Sequence, residues 1–175
     1  MVRTVTGKGI DPKRLAAYLK RSQKIYDISV QRHKDTLFIT NGFLFVRLSL
    51  ADELAAWTPK QEQTVKYATG AATPVPIEGN YAATWEKFTS ADARACLSPT
   101  HLLYDNVPTL YRKFTFTRDK QEQAIWIDKA LTDLFATDPD DFYGYIVELI
   151  TKDTVRIGAY NGWCACVVQN ADIRG

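Results

Sequence analysis

Apolar residues recur four apart after Ile10-Asp11, at Leu15 and Leu19, which is the spacing of one helix face. Asp11 suits the N-cap. Pro12 suits the first helical position, where its missing N–H and fixed φ are accommodated. The pattern returns at Ile127-Asp128, followed by Leu131 and Phe135, with Asp128 in the capping place. An apolar strand comes after each helix, Ile28-Ser29-Val30 in the first case and Tyr145 to Ile150 in the second. The same turn tripeptide follows, Lys34-Asp35-Thr36 and Lys152-Asp153-Thr154, and each leads into an apolar strand ending at Asn-Gly. The first runs from Leu37 through Asn41-Gly42 to Val46, and the second from Val155 through Asn161-Gly162 to Val167. Asn-Gly between apolar runs marks a hairpin, because both residues tolerate positive φ. The second arm is two residues longer, a change that preserves the face each side chain takes.

Strand, capped helix, strand, hairpin is therefore the expected order over about residues 2–50 and again over about 122–170. This predicts one α+β domain built on an internal duplication. Residues 51–121 read as an insertion between the copies. Within it, Thr69 to Gly79 is loop-like, with Pro74 and Pro76. Tyr81 to Leu97 is expected as a short helix with Trp85 and Phe88 on one side. Leu110 to Thr117 is expected to pair, across a turn from Arg118 to Gln123, with Ala124 to Ile127. Trp57, Tyr67, Tyr81 and Tyr104 fall in this irregular middle and are expected to be exposed contact residues.

Composition narrows the class. The 175 residues are 46% hydrophobic and 24% charged, which suits a packed globule and excludes wholesale disorder. No apolar run approaches the roughly 20 residues of a membrane span. Met1 to Gly9 is polar and basic, without the apolar core of a secretion signal. The three cysteines, Cys96, Cys164 and Cys166, point to reduced thiols and a cytoplasmic location. Cys164 and Cys166 lie two apart in a strand and read as small buried hydrophobes.

The formal net charge of +2 matters less than its distribution. Seven basic residues (Lys13, Arg14, Lys20, Arg21, Lys24, Arg32, Lys34) face one acid, Asp27, between positions 13 and 34. Between positions 119 and 148 lie eight acids, among them Asp133, Asp138, Asp140 and Asp141, against Lys120 and Lys129. Opposite fields of this kind concern partners and steering more than fold.

In several stretches the chain resembles the bacterial DNA sliding clamps. Val155 to Val167 is similar to a frequent clamp string through Ile157, Ala159, Asn161-Gly162, Trp163 and Ala165, and Leu37 to Val46 is similar after losing two residues. Asn106-Val107-Pro108-Thr109-Leu110-Tyr111-Arg112-Lys113 looks like the clamp stretch Gly-x-Phe-Pro-x-Tyr-Arg-x with one extra residue. Ile127-Asp128-Lys129 looks like the start of a clamp helix. These stretches make up about a fifth of the chain. The resemblance implies duplicated β-α-β-β-β units forming one clamp-like domain whose helices face DNA. The chain departs from the family where Phe43 or Trp163 replaces a histidine, and where the second helix region is acidic. It also offers one domain plus an insert, whereas a clamp ring has six.

The residues give no catalytic constellation. Ser98, His101 and Asp105 share one proline-flanked loop, and a triad is a geometry that sequence neighbours rarely form. Asp138, Asp140 and Asp141 read as a solvated helix exit rather than a cation site. There is no Walker loop, dinucleotide fingerprint or metal-spaced Cys/His cluster. The chain is accordingly expected to be a non-enzymatic binding module with no metal, cofactor, small-molecule substrate or membrane. Leu15, Tyr18, Leu19, Ser22 and Tyr26 are expected to face the core, leaving the cations of the first helix on its outer flank.

Two functions fit. One is a DNA-associated module that touches double-stranded DNA through the seven basic residues. The other is a phage or mobile-element inhibitor, anti-CRISPR-like, whose acids at Asp133, Asp138, Asp140 and Asp141 engage a host nucleic-acid-binding protein or nuclease.

Overall fold

The computed structural model describes residues 9–135 and 145–158, and the backbone of 166–169. The chain is α+β with antiparallel sheets, and it divides into two compact units. Ile10–Ala91 form the first, and the described residues from Asp92 onward belong to the second.

The first unit opens with α1 (Pro12–Ser22). Asp11 caps it as expected, its carboxylate accepting the Lys13 N–H at 2.9 Å. Strands β1 (Ile28–His33), β2 (Thr36–Thr40) and β3 (Leu44–Ser49) follow. Next come a 3-10 helix (Asp52–Trp57), β4 (Thr64–Tyr67), β5 (Val75–Pro76) and α2 (Tyr81–Ser90). The strands lie in the order β5-β4-β1-β2-β3. The β1–β2 turn falls at Lys34-Asp35, between the paired His33 and Thr36, and the β2–β3 turn follows Asn41.

Both faces of this sheet are covered. Leu15 and Leu19 of α1 and Leu54 of the 3-10 helix are fully buried, with Val30, Ile39 and Val46 aligned on one face by strand register. Phe38 and Phe45 lie on the other face, where their rings stand 6.1 and 5.4 Å from that of Trp85 in α2. The Gln31 side chain joins that helix to the sheet, accepting the N–H groups of Tyr81 (2.8 Å) and Ala82 (3.1 Å). The Trp85 indole N–H is buried and has no hydrogen-bond partner among the described residues.

The second unit contains β6 (Ala95–Asn106), β7 (Thr109–Arg118), β8 (Gln121–Asp128), α3 (Lys129–Thr132), β9 (Ile146–Thr151), β10 (Thr154–Gly158) and β11 (Cys166–Gln169). Its strand order is β11-β10-β9-β6-β7-β8. Strand β6 pairs with β9 over Ala95–Leu97, and from Ser98 onward with β7. The β9–β10 turn falls at Lys152-Asp153. The Asp128 carboxylate caps α3 by accepting the Ala130 N–H at 2.9 Å.

Several expectations change. The helix expected over Tyr81 to Leu97 stops at Ser90, where the Thr89 and Ser90 hydroxyls bond back to preceding carbonyls, a pattern that competes with helix continuation. Ala95–Leu97 are strand instead. The β7–β8 turn is tighter than expected, because Asp119 and Lys120 both take positive φ (52° and 62°) and close a two-residue loop. Helix α3 is a single turn, continued by hydrogen-bonded turns to Phe135. Trp57 and Tyr67 are core rather than contact residues, buried edge to face at 5.0 Å, and burial raises the Tyr67 pKa. Tyr81 is half-buried, and Tyr104 is exposed as expected. The stretch 51–121 supplies β4, β5 and α2 to the first unit and β6 and β7 to the second. Asn161-Gly162 and Cys164 lie outside the described residues.

Candidate nucleic-acid interface

Helix α1 is amphipathic because its apolar residues fall on one stripe. Leu15 and Leu19 are completely buried and Ser22 nearly so. At about 100° per residue, Lys13 and Lys20 lie within about 20° of one another on the opposite side, with Arg21 beside them. Lys13, Lys20, Arg21 and Lys24 are exposed. Lys20 and Arg21 occupy the last turn, where the helix dipole favours cations. Arg14 is half-buried and lies 3.7 Å from the Asp11 carboxylate.

The C-terminal end of this helix is tied into a rigid frame. Asn41, only 7% exposed, donates from its amide to the Tyr18 hydroxyl (2.9 Å) and the Ser22 hydroxyl (2.8 Å). Its amide oxygen accepts the N–H groups of Phe43 (3.0 Å) and Leu44 (2.8 Å). The helix is thereby locked to the β2–β3 turn. On the adjoining side, the Gln23 side chain donates to the carbonyls of Ala68 and Ala71, and the Gly70 N–H donates to the Gln23 carbonyl. Asp27 accepts both the N–H and the hydroxyl of Thr69, at 2.8 and 2.9 Å. Those two hydrogen bonds hold the Asp27 carboxyl below its usual pKa, Lys66 adding a smaller effect at 4.0 Å.

Not all seven expected cations lie on α1. Arg32 is in β1, and its guanidinium is directed at backbone, donating to the carbonyls of Lys34 (3.2 Å) and Pro59 (2.9 Å). Lys34 sits in the β1–β2 turn at φ 54°, exposed, with its N–H on Glu62. The helical set is thus Lys13, Arg14, Lys20 and Arg21, with Lys24 in the turn just after the helix.

The helix stripe is shorter than its apolar spacing suggests. Tyr26, expected in the core, is 41% exposed because α1 ends at Ser22. It meets Phe43, itself 39% exposed, with ring centroids 4.9 Å apart and edge to face. The inward placement of Ser22 and Tyr18 was the available signal that a buried polar partner must come from elsewhere; Asn41 is that partner.

The acidic candidates fare differently. Asp133 pairs with Lys129 at 2.8 Å, and Asp138, Asp140 and Asp141 lie outside the described residues. Ser98, His101 and Asp105 are exposed along the extended strand β6. Among the described residues, no helix is long and apolar enough to cross a membrane.

No protein-family model matches the chain, and no curated protein matches it.

Proposed function

We propose that this protein is a non-enzymatic DNA-associated binding module, with α1 as the element that tracks the phosphate backbone of a duplex. The observation that carries this reading is the solvent face of α1, where Lys13, Lys20 and Arg21 are exposed opposite the buried Leu15, Leu19 and Ser22, with Lys24 exposed in the turn that follows. A helix whose packing side and charged side are this cleanly separated can present cations without disturbing its core. Cations so arranged neutralise phosphates and release counterions, independently of sequence.

The proposed frame is a duplicated, clamp-like α+β chain. It is supported by two runs of the same kind, α1-β1-β2-β3 and α3-β9-β10-β11, each with a Lys-Asp turn between its first two strands. An Asp caps the helix in both runs.

The test is charge reversal. A Lys20→Glu, Arg21→Glu, Lys24→Glu variant is expected to lose duplex binding in an anisotropy titration while its thermal unfolding stays within a few degrees of wild type. Arg32→Gln is expected to keep duplex binding, because that guanidinium serves the Pro59 and Lys34 carbonyls. Retained binding by the triple variant would rule α1 out as the contact surface.

A further inference from the structure

An exposed apolar cluster sits at the end of the basic helix. Ile25 is 67% exposed, Tyr26 41% and Phe43 39%. The first two follow Lys24 directly in the turn leaving α1, and Phe43 projects from the β2–β3 turn. Large apolar side chains gathered at a surface mark an interaction site more often than scattered ones do. Here they are held in place. Asn41 fixes the β2–β3 turn to Tyr18 and Ser22 and accepts the Phe43 N–H itself. The two rings are set edge to face at 4.9 Å, and both side chains keep exposed surface that a planar partner can reach.

Extending the DNA-binding reading above, on which this inference rests, we infer that Tyr26 and Phe43 form a stacking platform for unpaired bases. The face would then take single-stranded nucleic acid as well as duplex. The charge of the neighbourhood favours this occupant. Lys20 and Arg21 in the last helical turn, with Lys24 one residue before Ile25, place cations beside the rings. Single strands need that combination, a cationic track for phosphates and aromatic faces for bases. A duplex has its bases stacked inside and offers the rings nothing to stack on. The platform therefore contributes to strand binding and not to duplex binding.

The test compares a labelled oligothymidine strand with a duplex of the same length, by anisotropy at low salt. Phe43→Leu keeps apolar volume and removes the π face. It is expected to weaken strand binding about tenfold, the scale of one lost stacking contact, and to leave duplex binding unchanged. Phe43→Tyr is expected to restore strand binding. Tyr26→Leu is the second probe, expected to behave like Phe43→Leu and serving in its place should that variant melt early. If the wild type binds neither nucleic acid, the DNA reading fails and this inference with it. Should the wild type bind duplex while both Leu variants keep full strand affinity, the platform alone is overturned. Equal losses on strand and duplex would overturn it too, by making the rings a support for α1. Capture of the patch by phosphatidylserine vesicles, with no strand binding, would assign it to a lipid surface instead.

Discussion

Replacing Asn41 by Ala removes the acceptor of two backbone N–H groups and the donor reaching two hydroxyls, all in a site only 7% exposed. Leaving buried groups unsatisfied costs roughly 1–3 kcal/mol each time it happens outright. Asn41→Ala is expected to lower stability by about 2–3 kcal/mol, read as a drop in urea midpoint at unchanged slope. Its neighbour Gly42 has φ +92°, and a Cβ built there meets nothing within 4 Å. The cost of Gly42→Val is therefore conformational, at least about 1 kcal/mol. Asp27 adds a pH dependence. Its folded pKa is depressed, so its contribution is complete above the unfolded value, about 3.9, and is lost as pH falls through the folded one. Between pH 5 and pH 3 the wild type is expected to lose more melting temperature than Asp27→Asn. Equal losses would show that the Thr69 contacts add nothing.

Among the elements, the β9–β10 pair holds a largely buried ion pair. Arg156 and Glu148 are directly opposite in register, with contacts of 3.1 and 3.2 Å, and the Arg156 side chain is only 7% exposed. Removing one partner of a buried pair leaves the other charge uncompensated. Glu148→Ala is expected to cost about 3 kcal/mol in chemical denaturation, and Glu148→Gln less, since its amide oxygen still accepts. The sequence was most legible where a local signal decides structure. Asp11 and Asp128 cap their helices, and Lys34-Asp35 and Lys152-Asp153 turn their hairpins. It was least legible where tertiary contacts decide. Leu37-Phe38-Ile39 is a continuous apolar run, the mark of a strand covered on both faces, yet nothing local says that Trp85 of α2 covers the second. The extent of α1 has the same cause. Tyr26 sits at the right spacing to continue the stripe, but the chain leaves the helix at Ser22 to enter β1. The exposed Tyr26–Phe43 pair was therefore hidden from periodicity, and the cationic face was not.

For the molecule as a whole, a formal charge of +2 is too small to drive DNA association by itself. The proposed activity depends on where the cations lie, and α1 with the turn that follows it gathers Lys13, Arg14, Lys20, Arg21 and Lys24. This makes the salt dependence of duplex binding the most direct measurement. Each phosphate neutralised contributes about −0.9 to the slope of log affinity against log salt. Contacts from three to five of these cations predict a wild-type slope between about −2.7 and −4.5. Lys20→Ala is expected to make it shallower by about 0.9, equally on duplexes of unrelated sequence. A wild type that does not bind duplex at low salt, or binds it with a slope near zero, would contradict the assignment of α1 as a phosphate-tracking surface.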